Sequence, residues 1–580
     1  MKRINHSKAQ HLSFSYIRRI NIFKHEIMKQ TGITLIVALF VAFFYSCKDS
    51  VDLTNSIPAS AATVIHIDTK SLLTKADYKP LENKVIKEAL DKAKSSGNAT
   101  KAIEQLESFL KNPNSTGIDF LSDCYMYMDS TTMGIVLKMD DQKKLKELLI
   151  KTFELPEQML EEKDGVTTVS TQQNFVIGWT KDKLLLLTYM GTVYYRDQSA
   201  LPDLKTLATK QLTQTAKESI NSKKSFAEFI SNKKDISIFS SYSNIKGMWS
   251  SLLPPALAMQ GHDGNAVNKM LTGLYDQLKD INTAAFISFE KGEIAFSNKM
   301  YYDTPEAEKK FNELASQMTG KLKGDQLKYF TDKPIFSISA NMKGEGIYNY
   351  LNELGFISLI EENAGSNLSE LGIDLKSFIS NMDGDITFAV NNVKIVTKKS
   401  DYYDFEYTDS SPELSFFADL KDANSIWNIA KGKIKELNGE AAVFTELNPN
   451  TYSLKVDENT NAYFGINNNM FFFTNSESVF KNISATGLKS DLSDQAKDNT
   501  TFICGTFSPL KPLLLSEMGG NDKAKELATK GFELLGDYNY ITTQDMSGNG
   551  KIVIKDTSGN SLAVICKFVD SVVTHIAQEY

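Results

Sequence analysis

Arginine, histidine, cysteine and tryptophan are scarce in this 580-residue chain, and each scarcity removes a class of chemistry. Arginine occurs only at Arg3, Arg18, Arg19 and Arg196. Recognition of phosphate by an arginine cluster is excluded, because the one arginine beyond residue 19 cannot build a cluster. Beyond residue 46 the histidines are His66, His262 and His575, none with a second histidine at metal-ligand spacing and none in H-E-x-x-H. A histidine-activated nucleophile would have to use one of these three. His66 lies in the strand-like Val64-Ile65-His66-Ile67, His262 in a loop and His575 near the C-terminus, so each reads as structural or solvent-exposed. No C-x-x-C occurs, which leaves neither a zinc ribbon nor a thioredoxin-type motif. Cys124, Cys504 and Cys566 sit in β-like runs, where free cysteine packs as a small hydrophobe; pairing of Cys504 with Cys566 stays open. Phosphate and calcium loops fail as well. Gly344-Glu345-Gly346 has Asn349 where the dinucleotide fingerprint needs a small residue. Asp457 to Asn461 is followed by Ala462 where a tight turn needs Gly, and by Asn468 where calcium needs Glu. These stretches, with Met382-Asp383-Gly384-Asp385, read as turns or helix openings. No cofactor, metal ligand or catalytic residue is assigned.

What is present begins with an address. Residues 1–30 are polar and basic, and Gly32 to Tyr45 follow as an apolar run of 14 residues. That is too short to span a bilayer, which takes about 20 residues, but it fits the core of a secretory signal. Ser46-Cys47 closes it, so the stretch resembles a bacterial lipoprotein signal in which Cys47 carries the lipid. Phe44-Tyr45 is bulkier than the usual residues there, as lipoproteins of the Bacteroidetes type tolerate. Lys48-Asp49 resembles the export signal that sends such proteins to the cell surface. The expected signal peptide is 1–46, with Met28 as the natural start, and 47–56 is a lipidated tether. Cleavage removes seven cations and one anion from 64 and 71, leaving 57 against 70 and a net charge of −13. An acidic body without a basic stripe repels nucleic acid, so nucleic acid is excluded as a partner. The expected partners are the membrane, through the lipid, and an envelope protein or polysaccharide.

The body of the chain repeats itself. TGIDFLSDCYMYMDSTT at Gly117 matches LGIDLKSFISNMDGDIT at Gly372, and Gly134 to Asp141 matches the run from Leu414 to Asp422. NFVIGWTKDKLLLLT around Gly178 matches NAYFGINNNMFFFT around Gly465, and Ile238 to Met248 matches Ile503 to Leu513, Ser243 falling on Ser508. Thr63 to Ile67 matches Pro334 to Ile338. One unbroken order of weak matches indicates duplication, with half one at 57–330 and half two at 331–580. Apolar strands end in Asp68, Ser243 or Ser508, read as helix caps. Hairpins are expected around Thr180–Lys183, around Asn467–Asn469 and between Ile541 and Lys555. The fold class is therefore α+β: two tandem similar halves, each mainly antiparallel sheet with helices packed on one face.

Ile57-Pro58-Ala59-Ser60-Ala61-Ala62, the strand Thr63 to Ile67, then Asp68-Thr69-Lys70-Ser71-Leu72 sit just behind the lipid-bearing cysteine. This stretch resembles the start of a Bacteroidetes lipoprotein family classed as a domain of unknown function. The resemblance implies an outer-membrane location, on the periplasmic face or the cell surface, and supplies no catalytic residue. Three readings stay open: a non-enzymatic binding or structural lipoprotein, a glycan-binding accessory to an outer-membrane transporter, and a hydrolase using an Asp/Glu pair. Trp179, Trp249 and Trp427 could stack on sugars, but all lie in apolar settings that favour core packing.

Overall fold

The structure is a computed structural model. It describes residues 52–77, 111–151, 155–172, 174–190, 201–244, 272–358, 360–361, 374–399, 406–441, 444–456, 460–518 and 522–579, with positions 79, 82, 87, 91 and 107. Cys47 and the signal segment, His262, Trp249, Gly372 and the stretch Pro254–Val267 lie outside the described residues.

Twenty-one strands are described: β1 Thr63–Ile67, β2 Ile118–Asp119, β3 Cys124–Met128, β4 Thr132–Met139, β5 Glu161–Lys163, β6 Val166–Gln172, β7 Phe175–Trp179, β8 Lys183–Tyr189, β9 Ile236–Ser241, β10 Ile281–Glu290 and β11 Glu293–Tyr302. There follow β12 Phe336–Lys343, β13 Met382–Lys399, β14 Glu406–Leu420, β15 Phe444–Asn448, β16 Thr451–Lys455, β17 Asn461–Asn467, β18 Met470–Thr474, β19 Thr501–Thr506, β20 Leu535–Thr542 and β21 Gly548–Ile554. All pairings are antiparallel. They run β5-β6-β7-β8-β4-β3-β1-β9-β10-β11 and continue β21-β20-β19-β12-β13-β14-β18-β17-β16-β15, with β2 extending the ladder on β4. No pairing among the described residues joins β5 to β15, so the sheet is open. Read outward from the β11–β21 junction, the strand order of the first ten is the order of the second ten.

The register repeats too. From the junction outward, Ser297 leads through Phe286, Ser237, His66, Tyr125, Val136 and Leu185 to Gly178. On the other side, Asn549 leads through Ile541, Phe502, Ser339, Thr387, Phe417 and Phe472 to Gly465. Gly178 and Gly465 thus occupy the same place on the eighth strand from the junction. Two sequence matches are corrected. Thr63–Ile67 lies level with Phe336–Ala340 and not with Pro334–Ile338. A shift of two keeps every side chain on its face, so the apolar pattern could not detect it. The match that starts at Gly117 slips by seven residues, because a helix at Leu375–Asn381 precedes β13 where half one has loop.

Helices cover both faces, which corrects the expectation of one. Successive side chains of a strand point to opposite faces. Leu185 and Leu187 of β8 pack with Leu204, Ala208 and Leu212 of the helix Leu204–Thr213. Leu184 packs on the other side with Leu145 and Leu149 of the helix Gln142–Lys151. In β18, Phe472 meets Val479 and Ile483, whereas Phe471 meets the core around Trp427. Continuous apolar runs mark strands buried on both faces. The three hairpins form as expected, between β7 and β8, β17 and β18, and β20 and β21. Met382–Asp385 is not a turn but the irregular first stretch of β13, where Gly384 adopts φ +135 against Asp419.

Candidate functional site

In half one the strand β1 runs into the helix Thr69–Ala76, and the polar residues at that junction form a latch. Asp68 caps the helix by accepting the Ser71 amide at 2.8 Å. Ser71 Oγ donates to Asp235 Oδ1 at 2.6 Å, and Asp235 Oδ2 accepts from Lys75 Nζ and the Phe289 amide, each at 2.7 Å. Thr69 Oγ1 bonds the Phe120 and Ser122 carbonyls. The stretch that carries the family resemblance therefore ties a helix to three segments distant in sequence. Beside it, His66 is fully buried, with Nε2 3.2 Å from Asp123 Oδ1 and its ring against Tyr125. Asp123 also pairs with Lys233. Burial would raise the Asp123 carboxyl, but the bonds from His66 and Lys233 outweigh it and hold the group at about 2.

Half two places Asp385 two residues before Thr387, as Asp123 stands two before Tyr125. Here no histidine faces the carboxylate. Asp385 is 1% exposed; Oδ2 accepts the Lys323 and Gly324 amides at 2.9 and 2.8 Å, and Oδ1 accepts from Asn341 at 2.9 Å. Asp419 accepts from Gln326 at 3.0 Å and from the Asp385 amide at 3.3 Å, and Lys323 Nζ stands 3.7 Å away. Burial raises the Asp385 carboxyl and the charge of Asp419 adds to this, against the opposing bonds from Asn341 and Gly324. Two carboxylates do converge, then, but Asp385 is committed through Oδ2 to the segment that joins the halves and through Oδ1 to Asn341 of β12. Gly324 sits there at φ +78, where a side chain would strike the Ser493 carbonyl.

The remaining sequence candidates are structural wherever they are described. Trp179 and Trp427 lie in cores, 2% and 1% exposed. Cys124, Cys504 and Cys566 are free, and burial pushes the first two thiols up to about 12, which keeps them protonated and unreactive. Gly344 and Gly346 open the helix Gly344–Glu353 at close approaches to the Ile379 and Gln317 carbonyls, so they serve packing and not phosphate. β16 and β17, on either side of Asp457, pair antiparallel, and Asp457 to Asn459 lie outside the described residues. Ser243 accepts the Asp280 amide, outside its own helix. Ser508 is corrected: the helix Leu510–Glu517 begins at Pro509 with no side-chain cap.

A cavity of about 140 Å³ opens in half two beside β19, β20 and β21. Leu492, Cys504 and Val553 supply apolar wall, and Lys333, Asp537 and Lys551 supply charge. Lys333 pairs with Asp537, and Lys551 with Glu293 at 3.0 Å. Sequence reading missed this cavity, because its residues come from separate strands and helices, with Lys333 more than 150 positions before the rest, and none belongs to a motif.

Residues 53–562 match the family described as a domain of unknown function (DUF4836), and the chain belongs to that family. No curated protein matches it. Among solved structures, crystal form I of TP0453 shows 8% identity over 44% of this chain and 81% of that chain, with a TM-score of 0.21. Crystal form III shows 7% identity over 47% of this chain and 90% of that chain, with a TM-score of 0.19. Likeness at that level carries no argument about fold or function.

Proposed function

We propose that this chain is a lipid-anchored outer-membrane protein that binds a ligand without transforming it, built from two duplicated halves at 57–330 and 331–580. The anchor rests on Cys47 behind its apolar run and Ser46. Duplication is supported by the shared strand order and by the level placement of Gly178 and Gly465. The observation that carries the binding reading is the half-two cavity, which opens where the repeated architecture packs differently. Function tends to sit where a repeated scaffold diverges. The hydrolase reading loses its best carboxylate pair to the segment joining the halves, and the glycan reading loses Trp179 and Trp427 to cores. Cys47→Ala should abolish labelling by a fatty-acid analogue and release the protein from the membrane fraction. Persistent labelling of that variant would overturn the anchor.

A further inference from the structure

We infer that the half-two cavity is a binding site for a short-chain carboxylate, an anionic head with an apolar tail of a few carbons. The inference deepens the binding reading above and rests on it. Its first support is the comparison of equivalent places. Half one fills this position with aromatic rings: Phe226 and Phe229 from the helix Lys224–Ser231, Phe239 from β9 and Tyr301 from β11, all at most 1% exposed. Phe239, Phe226 and Phe229 stand in mutual ring contact at 5.3–5.5 Å. In half two the helix Asp491–Ala496 buries Leu492 and Ala496 instead. Register puts Cys504 at the place of Phe239 and Val553 at the place of Tyr301. Every filler is smaller, and the space left is the cavity. A well-packed protein does not retain such a void without cost, since lost contacts around a void destabilise it.

The lining sets the class of ligand. A cavity near 150 Å³ holds a molecule the size of benzene, so about six to eight heavy atoms fit. Leu492, Cys504 and Val553 suit an alkyl tail. Two ammonium groups, Lys333 and Lys551, stand at the lining, the first paired with Asp537 and the second with Glu293, which lies outside the lining. Each ammonium carries three donors and can bond a ligand carboxylate while keeping its acidic partner. Both lysines are more than 40% exposed, so the head would sit at the mouth and the tail inside. Anionic ligands bind best where fixed charge and partial desolvation coincide.

The test uses the purified mature chain with sodium pentanoate and with pentanol, read by isothermal titration and ligand-observed NMR. Pentanoate should bind, pentanol at least tenfold more weakly, and Lys551→Met should bring the two together. Cys504→Phe, which restores the half-one filler, should abolish binding. If that variant fails to fold, Val553→Tyr performs the same refilling from the neighbouring strand. Equal binding of pentanol, or binding retained after refilling, overturns the inference. None of these outcomes touches the lipid anchor, which is read separately at Cys47.

Discussion

Asp123 and Asp385 occupy the same position of the two halves and have opposite electrostatic fates. Asp123 faces His66 and Lys233 and is held ionised to about pH 2. Asp385 faces backbone amides and a second carboxylate, and its proton is held more tightly than usual. Equal strand order therefore leaves the chemistry at a matched position to be decided by the segments laid over it. In half one a histidine from β1 and a lysine from the loop before β9 arrive there; in half two the segment joining the halves does. The same rule separates the phenylalanine cluster of half one from the cavity of half two.

The sharpest way to break this comparison is in the cores. Phe229→Ala should destabilise the protein by about 3–5 kcal/mol in denaturant unfolding, while Cys504→Ala, beside an existing void, should cost about 1 kcal/mol or less. Similar losses would mean that the two halves are equally packed after all. Next come the carboxylates. Asp385→Ala strands two buried amides and Asn341 and should cost about 3 kcal/mol, against about 1 kcal/mol for Asp123→Ala. Their pH signatures should also differ in sign. The folded Asp123 value of about 2 lies below the unfolded value of about 3.9. Its stabilisation is thus whole above the unfolded value and drains as pH falls towards 2. The melting difference between the protein and Asp123→Asn should close over that window. Asp385, with a raised folded value, contributes most in acid and loses that contribution as pH rises through its folded value. A wild-type difference from Asp385→Asn that shrinks in acid would contradict this assignment.

The paired glycines give a smaller contrast. A Cβ at Gly465 would stand 2.1 Å from the Asn450 carbonyl, a backbone atom that cannot step aside. At Gly178 the nearest atom is the tip of Leu212, 3.1 Å away. Gly465→Ala should cost about 1–3 kcal/mol and Gly178→Ala less than about 1 kcal/mol. The mildest pair is the caps: Asp68→Ala should cost about 0.5–2 kcal/mol, and Ser508→Ala no more than a few tenths. A full capping loss at Ser508 would show that its hydroxyl engages the helix.

Much of the fold was legible because local rules produce it. Alternation and apolar runs mark β7, β8, β17 and β18, and turn residues mark their hairpins. The sequence could not tell a shift of two from none at β1 and β12, since both leave the same face apolar. Nor could it assign helices to a face, because Leu184 to Leu187 and Phe471 to Phe473 suit burial on either side. The site was less legible still. Asp235, Lys233 and Asp123 read as surface charge next to strands until β1, β3 and β9 are brought together. By itself the sequence determined the strands, their turns, the chain's acidity and the poverty of its reactive side chains, all of which depend on residues a few positions apart. Tertiary structure alone decided which carboxylate meets a cation, which glycine touches backbone and where the cavity opens. Those outcomes depend on contacts between segments 15 to 204 residues apart, and no local pattern encodes them.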